Sequence, residues 1–198
     1  MKTLLRYETE AADIYATLKK IPRTGWVIRG VEHPETVYDH TISLLQLAND
    51  LAQDLQLNPA ELNDLTHILE VHDWAEAIVG DEVIFEENPD EFKAKKAIKR
   101  ERELTAMQSL CEGKTYGPAA LTAFKRYESG ADKVARIAKE LDKYQALELA
   151  LTYEESQGIL LFGKFYEYYK RDWPFSHPVL LDQIDALHKR HSNLEHKK

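Results

Sequence analysis

A histidine and an aspartate stand side by side in the apolar stretch of residues 71–81. These residues, His72 and Asp73, lie in a context that favours a helix, and Glu76 follows three residues after the aspartate. Adjacent residues on a helix point about 100° apart, so the two side chains can converge only on an ion between them. Glu76 lies one turn further on, and Asp81 ends the segment. This spacing predicts a metal site with an additional carboxylate beside it.

Two consecutive predicted helices each carry a histidine on their apolar face. The first is expected over about residues 36–54 and includes His40. The second begins at an Asn-Pro pair, which supplies an N-cap and a favourable first residue, and it leads to His72. A later helix, over about residues 131–155, places Asp142 within reach of its apolar stripe.

The remaining pattern is also helical. Helices are predicted over residues 2–20, from the charged stretch to Cys111, over 118–127 and over about 177–192, and no convincing strand appears. We therefore expect an all-α fold, a single compact multi-helix bundle. The 198 residues fit one domain, with a core over about residues 20–155 and C-terminal helices over about 158–192.

Charge and hydropathy exclude several classes of partner. The net charge of −8 argues against a nucleic-acid polymer as the main ligand, because phosphate backbones require a basic face. Residues 93–102 carry six basic side chains, which indicate a solvated helix face or, less readily, an attraction for a small anion. No apolar run could span a membrane, no signal peptide is apparent, and the single Cys111 excludes an internal disulfide. A cytoplasmic protein is expected.

Four of these side chains could share one ion. A buried carboxylate without a partner costs several kcal/mol, so Asp73 and Asp142 require a cation or a network of donors. Together with His40 and His72, they are explained most simply by one divalent metal ion. Ligands without thiolate suit Mn, Fe, Co, Ni, Zn or Mg and do not distinguish among them. The other histidines fit loops or polar surface: His33, His67, His177, His188, His191 and His196.

The sequence resembles the HD-domain metal-dependent phosphohydrolases, whose pattern is a histidine, then His-Asp, then a distant aspartate. Over about residues 20–155, the blocks PRTGWVIR, HPETVYDH, VHDWAEAIVGDEV and KELDKYQALELALTYEE are similar to the 5′-deoxynucleotidase branch of this superfamily. The resemblance implies that His40, His72, Asp73 and Asp142 bind the metal. One departure is Asp39, where many members have glutamate and some have aspartate.

The resemblance also implies roles around the metal. Glu76 matches a glutamate that works with the catalytic water, and Asp81 matches a second active-site carboxylate. Trp26 matches a tryptophan that packs against the sugar and favours deoxyribose, although core packing is an equal alternative. Arg23 and Arg29 belong to the same segment. Metal binding makes water a nucleophile near neutral pH, a carboxylate can orient it, and arginine can bind phosphate oxygens in a bidentate manner.

The implied reaction is hydrolysis of deoxyribonucleoside 5′-monophosphates to deoxynucleoside and phosphate. One alternative keeps the metal but changes the substrate to another phosphomonoester, a ribonucleotide, or a cyclic or polyphosphorylated nucleotide. Another is a non-catalytic HD domain that binds a nucleotide or a partner protein. Relatives are often homodimers, and the aromatic segment at residues 162–173 could supply the contact surface or belong to the core.

Overall fold

The computed structural model describes residues 4–84 and 88–195. This part of the chain forms ten helices and one isolated antiparallel bridge, between Pro22 and Thr36, with no strand, so the all-α class is confirmed. His196 lies outside the described residues. The helices are α1 Ala12–Leu18, α2 Thr24–Val27, α3 Val37–Asp50, α4 Pro59–Val71, α5 Glu76–Val79, α6 Pro89–Cys111, α7 Gly117–Ser129, α8 Lys133–Gln157, α9 Phe162–Asp172 and α10 Pro178–Glu195.

Helix α8 lies at the centre and packs against α3, α4, α7, α9 and α10. Its N-terminus is capped by the Asp132 carboxylate, which accepts from the Ala135 N–H at 3.0 Å. It ends at Gly158, whose φ of +73° is accessible to glycine without strain. Leu141, Leu147 and other apolar side chains along α8 are fully buried. The helix that carries Asp142 is therefore held from several sides.

Two carboxylates on α8 also hold the C-terminal helices. Glu140 accepts hydrogen bonds from the Ser176 hydroxyl at 2.6 Å and from the His177 N–H at 2.9 Å, just before α10 begins. Glu154 accepts from the Phe162 N–H at 2.7 Å, at the start of α9, and pairs with His191 of α10 at 2.8 Å. These contacts satisfy N–H groups that a helix terminus leaves without partners.

The helices that carry the two histidines begin at capping boxes. In α3 the Thr36 hydroxyl accepts from the Asp39 N–H, while the Asp39 carboxylate accepts from the Thr36 N–H at 3.0 Å. In α4, Asn58 and Glu61 exchange the equivalent bonds. The residue before His40 therefore has a structural function, which aspartate performs here.

The predicted helix boundaries are wrong at two places. The first helix covers Ala12–Leu18 rather than residues 2–20, because the Tyr7 N–H donates to the Glu70 carboxylate of α4 at 2.9 Å and the preceding segment forms turns. The helix around His72 is interrupted as well, because α4 ends at Val71 and residues 72–75 form a turn before α5. No helix among the described residues is long and apolar enough to cross a membrane.

Candidate metal centre and active-site cavity

Three helices bring the four predicted ligands together. His40 comes from α3, His72 and Asp73 follow the end of α4, and Asp142 comes from the middle of α8. One potential ligand atom from each of His40, His72 and Asp73 lies within 4.8 Å of the others. Asp142 joins them, because its Oδ1 atom lies 3.0 Å from Nε2 of His40. The arrangement supports the predicted ligand set.

The hydrogen bonds of His40 define which nitrogen faces the cluster. Its Nδ1 atom lies 2.8 Å from Oε1 of Gln145, whose Nε2 lies 3.1 Å from Oε2 of Glu35. A carboxylate only accepts, so the amide nitrogen of Gln145 must face Glu35 and its oxygen must face His40. The Nδ1–H of His40 is then the donor, which leaves Nε2 of the neutral ring as a ligand atom.

His72 is oriented in the same way by a backbone carbonyl. Its Nδ1–H donates to the Leu69 oxygen at 2.7 Å, and its Nε2 atom is buried without a hydrogen-bond partner among the described residues. This Nε2 lies 3.1 Å from Oδ2 of Asp73. Two acceptors at this distance repel each other unless a cation lies between them. The cation is either an additional proton on the ring or a metal ion, and two imidazoles with two carboxylates suit a divalent metal.

The two aspartates of the cluster are held in the charged form. Burial alone would raise the pKa of Asp73, but the neighbouring His72 and the guanidinium of Arg23 outweigh it and lower the pKa. Nη1 of Arg23 donates to Oδ2 of Asp73 at 3.0 Å. Burial likewise opposes ionisation of Asp142, whereas the adjoining His40 ring and the charge of Lys143 hold its pKa well below the ordinary value. The cluster therefore carries negative charge at neutral pH, as a cation site requires.

Glu76 has the opposite tendency, although it lies beside the same cluster. It is the first residue of α5 and only 4% exposed. Burial, followed by the negative charges of Asp73 and Asp81, raises the pKa of Glu76 well above its ordinary value. Its Oε2 atom has no hydrogen-bond partner within the described part of the chain, and the residue lines the cavity. A carboxyl group of this kind can exchange a proton with a water molecule at the site.

Asp81 connects the end of the α5 region to α2. Its Oδ2 atom accepts from the Thr24 N–H at 2.6 Å, and the Thr24 hydroxyl donates to the Asp81 carbonyl at 2.6 Å. Thr24 directly follows Arg23, so these bonds fix the segment that carries the arginine against Asp73. The geometry gives Asp81 a positioning function, and its catalytic role stays a prediction.

Trp26 and Arg29 both pack against Phe165 of α9. The Trp26 indole stacks on Phe165 with ring centroids 4.3 Å apart, donates to Glu35 at 3.2 Å and is only 1% exposed. The guanidinium of Arg29 lies 4.5 Å from the Phe165 ring and donates to the Gly25 carbonyl. Both residues line the cavity, but Trp26 is packed as core, and a role in sugar recognition stays a prediction.

A cavity of about 190 Å³ extends from the metal ligands to the surfaces of α6, α8 and α9. The basic stretch of residues 93–102 contributes half of its basic side chains to the wall of this cavity: Lys96, Lys99 and Arg100. The structure therefore favours the alternative in which this stretch faces a site.

Sequence reasoning missed further residues on the same wall. Tyr127 of α7 donates to Oδ2 of Asp142 at 2.7 Å, and Lys139 and Lys143 of α8 flank Asp142 in sequence. The motif KELDK contained the signal, because two lysines accompany an inward-facing aspartate on an otherwise apolar helix face.

Comparisons with known proteins agree with this geometry. A family model of the HD domain matches residues 15–172. The 5′-deoxynucleotidase HDDC2 of Danio rerio is 32% identical over 87% of this chain and 82% of its own length, and that of Homo sapiens is 29% identical over 88% and 81%. The 5′-deoxynucleotidase hdd1 of Schizosaccharomyces pombe is 32% identical over 72% and 70%. The crystal structure of the PH0347 protein from Pyrococcus horikoshii superposes with a TM-score of 0.69 at 24% identity, covering 91% of this chain and 98% of that one, which shows a shared fold.

Proposed function

The chain belongs to the HD-domain family, and we propose that it is a metal-dependent phosphohydrolase that removes phosphate from deoxyribonucleoside 5′-monophosphates. The observation that carries the proposal is the cluster of His40, His72, Asp73 and Asp142 at one end of a cavity, with the buried carboxyl group of Glu76 beside it. The proposed substrate is taken from the names of the relatives. These are 5′-deoxynucleotidases, and each matches most of this chain.

The metal supplies a Lewis acid, which makes water a nucleophile near neutral pH and neutralises charge on a phosphate oxygen. Among the divalent ions that suit two imidazoles and two carboxylates, Mn, Co, Mg, Zn, Fe and Ni remain candidates. His40, His72, Asp73 and Asp142 would hold the ion, and the surrounding chain orients the two rings, because Gln145 and the Leu69 carbonyl take the Nδ1 atoms and leave both Nε2 atoms available as ligands.

Proton transfer in the reaction is assigned to Glu76. A cation bound at the cluster would offset the charges of Asp73 and Asp81 that raise the pKa of Glu76, and would leave its carboxylate ionised. This carboxylate, whose Oε2 has no hydrogen-bond partner among the described residues, would then orient the attacking water and take its proton. It can then return that proton to the leaving 5′-oxygen of the deoxynucleoside. Asp81 keeps the local charge negative and holds the Thr24 segment in place.

Arg23 is the first of the phosphate-binding groups. It contacts Asp73 through one nitrogen, so its other donors are available for a phosphate oxygen next to the metal. Arg29 lies further along the cavity and can contact the nucleotide. Trp26, packed between Phe165 and Glu35, provides the apolar wall against which a deoxyribose without a 2′-hydroxyl would lie.

The proposal includes the wider setting of the protein. It acts as one HD domain on a small nucleotide in the cytoplasm, without nucleic-acid or membrane partners, and it forms a homodimer. The negative net charge supports a small-molecule substrate over a nucleic acid. In the aromatic segment, Phe162 and Phe165 are buried, so a dimer contact there would use Tyr166 and Tyr168, which remain partly exposed.

The test is phosphate release from a matched panel of deoxy- and ribonucleoside 5′-monophosphates. Protein stripped of metal receives Mn, Co, Mg or Zn singly, and an Asp142→Asn variant serves as the control with an impaired site. We expect metal-dependent release from the deoxy series. Equal release from the ribo series would refute the sugar preference. Metal binding without turnover of any monophosphate would refute the proposed reaction in favour of another phosphate ester or a binding function.

A further inference from the structure

Two buried lysines face the cavity without a close carboxylate partner in the part of the chain that the structure describes. Four lysines line this cavity, and two of them form ion pairs: Lys96 with Asp172, and Lys99 with Glu103 at 3.4 Å. Lys139 and Lys143 differ. Each is 6% exposed, and within the described residues the one ion pair that either ammonium forms is the long contact of Lys143 with Asp142, at 3.9 Å. The charges of Glu128 and Asp172 act on these lysines only from beyond ion-pair distance.

Asp142 is not available as a hydrogen-bond partner for Lys143. Its Oδ1 atom faces His40 at 3.0 Å, and its Oδ2 atom accepts from the Tyr127 hydroxyl at 2.7 Å. A metal at the cluster would draw further on the same charge. The distance of 3.9 Å is also longer than a hydrogen bond between an ammonium and a carboxylate. Lys143 therefore keeps donors that the protein does not satisfy.

Lys139 lies against aromatic faces rather than against an anion. Its ammonium is 4.2 Å from the centre of the Tyr127 ring and 5.4 Å from that of Trp173. The Tyr127 ring in turn contacts His72, with centroids 4.9 Å apart. These contacts place the Lys139 ammonium one aromatic ring away from His72, on the wall of the same cavity. Burial lowers the pKa of Lys139 to about 8, so most copies are still charged at neutral pH.

A buried cation is costly unless an anion accompanies it, and two such cations at one cavity indicate a doubly charged ligand. We propose that Lys139 and Lys143 bind the phosphate group of the substrate, together with Arg23, and select a dianionic phosphomonoester over a monoanionic phosphodiester. This inference rests on the proposed function for the identity of the substrate. Arg23 contacts Asp73 and Lys143 lies beside Asp142, so the cations flank different ligands of the same cluster. A phosphate at the metal would be surrounded by positive charge.

The experiment measures binding of inorganic phosphate by calorimetry to protein loaded with one equivalent of Mn. The variants are Lys139→Gln, Lys143→Gln and Lys143→Arg. Lys170→Gln is the matched control, because it removes the same charge from an exposed lysine on α9 outside the cavity. We expect each glutamine variant of the cavity to bind phosphate about tenfold or more weakly, as for loss of a charge-assisted hydrogen bond. Lys143→Arg should recover most of the affinity, and Lys170→Gln should match the wild type.

Metal content and melting temperature separate phosphate binding from a structural role. If a lysine variant binds less metal or melts earlier but each loaded site keeps its phosphate affinity, the inference is wrong. If Lys143→Gln does not fold, Lys143→Met replaces it in the assay, because methionine keeps the aliphatic part of the side chain. Lys139→Gln tests the phosphate-binding role independently.

The same variants distinguish this inference from the proposed function. In turnover assays we expect KM for a deoxynucleoside monophosphate to rise by a larger factor than kcat falls. If the wild type hydrolyses the monophosphates while both glutamine variants keep its phosphate affinity and KM, the inference fails and the proposed function stands. If the wild type binds phosphate through the lysines but hydrolyses no monophosphate, the proposed function fails and the anion site stands.

Discussion

Nδ1 of His40 and Oε1 of Gln145 lie 2.8 Å apart, so a residue of α8 sets the orientation of a candidate metal ligand on α3. Gln145 is itself held by Glu35, which also accepts from the Trp26 indole. One carboxylate before α3 thus connects the metal ligand with the wall of the cavity. Networks of this type fix the tautomer and direction of a histidine ligand before the metal arrives.

Replacement of Gln145 by leucine should weaken metal binding. The substitution leaves Nδ1 of His40 buried without an acceptor, so the ring no longer favours the tautomer with a free Nε2. We expect metal affinity to fall about 10- to 100-fold. Titration with Co, followed by absorbance, measures the affinity. Gln108→Leu on the exposed face of α6 is the control, and an unchanged affinity in Gln145→Leu would contradict the assigned role.

Glu76→Gln should abolish most turnover while it preserves metal content. Glutamine keeps the shape of the side chain but cannot accept a proton from water, and loss of a general base typically lowers kcat about 100- to 10,000-fold. Metal analysis of the purified variant and phosphate release under saturating substrate give the two values. The exposed Glu112→Gln controls for the change of charge. Activity close to that of wild type would eliminate Glu76 as the proton acceptor.

Metal removal should destabilise the folded protein. The partly buried Asp73 and Asp142 then lie beside the lone pairs of two imidazoles, and the binding free energy of the ion is lost. An ion at 100 times its Kd stabilises the native state by about 2.7 kcal/mol, which corresponds to roughly 5–10 °C in Tm for a chain of this size. Thermal melting with Mn and with a chelator measures the difference.

A pair of histidine variants tests the source of this metal response. His40→Asn should lose most of it. His33→Asn should keep it, because His33 lies in a loop at a φ of +53°, which asparagine tolerates. Equal responses in the two variants would place the stabilising ion elsewhere.

His67 should make the metal-free protein less stable in mild acid. Its ring contacts the Tyr7 hydroxyl at 3.0 Å, and burial, followed by the charge of Arg6, lowers the pKa of His67 to about 4. The imidazole of His67 becomes protonated near pH 6.5 in the unfolded chain, but only near pH 4 in the folded chain. The free energy of unfolding therefore falls as the pH drops through this interval.

The measurement is the melting temperature of wild type and His67→Gln between pH 7.5 and 4. Because glutamine does not titrate, the wild-type curve should fall more steeply. A shift of this size corresponds to up to about 3 kcal/mol, which screening by solvent at the partly exposed ring reduces to about 1 kcal/mol, or roughly 2–4 °C. The two curves should have the same slope above pH 7, which serves as the internal control. Parallel curves over the whole range would show that His67 titrates alike in the folded and unfolded chains.

Most of the helices could be predicted from the sequence, and so could the residues of the candidate metal cluster. The pair Asn58-Pro59 predicts the start of α4, because asparagine caps the helix and proline suits its first position. The resemblance to HD domains rests on the order and spacing of His40, His72-Asp73 and Asp142. These features are local or depend on residue order along the chain, so periodicity and motif spacing are sufficient to find them.

Features that depend on contacts between distant segments could not be predicted from the sequence. The first helix is shorter than its apolar pattern because Tyr7 bonds to Glu70, a partner on another helix. The unpaired state of Lys139 and Lys143 depends on where α6 and α9 direct their carboxylates, since Asp172 pairs with Lys96. The spacing of residues along the sequence does not predict which carboxylate forms an ion pair with a given lysine in the folded protein.

Helix α8 joins the metal centre to the C-terminal helices through Glu140 and Glu154. If α10 detached, Glu140 would lose its donors from residues 176–177, and a buried carboxylate would remain unsatisfied two positions from Asp142. Detachment of α10 and loosening of the centre should therefore occur in a single opening event, visible as matched amide hydrogen exchange in the two regions. A substitution in the last helix can thus reduce catalysis without contacting any residue of the cavity.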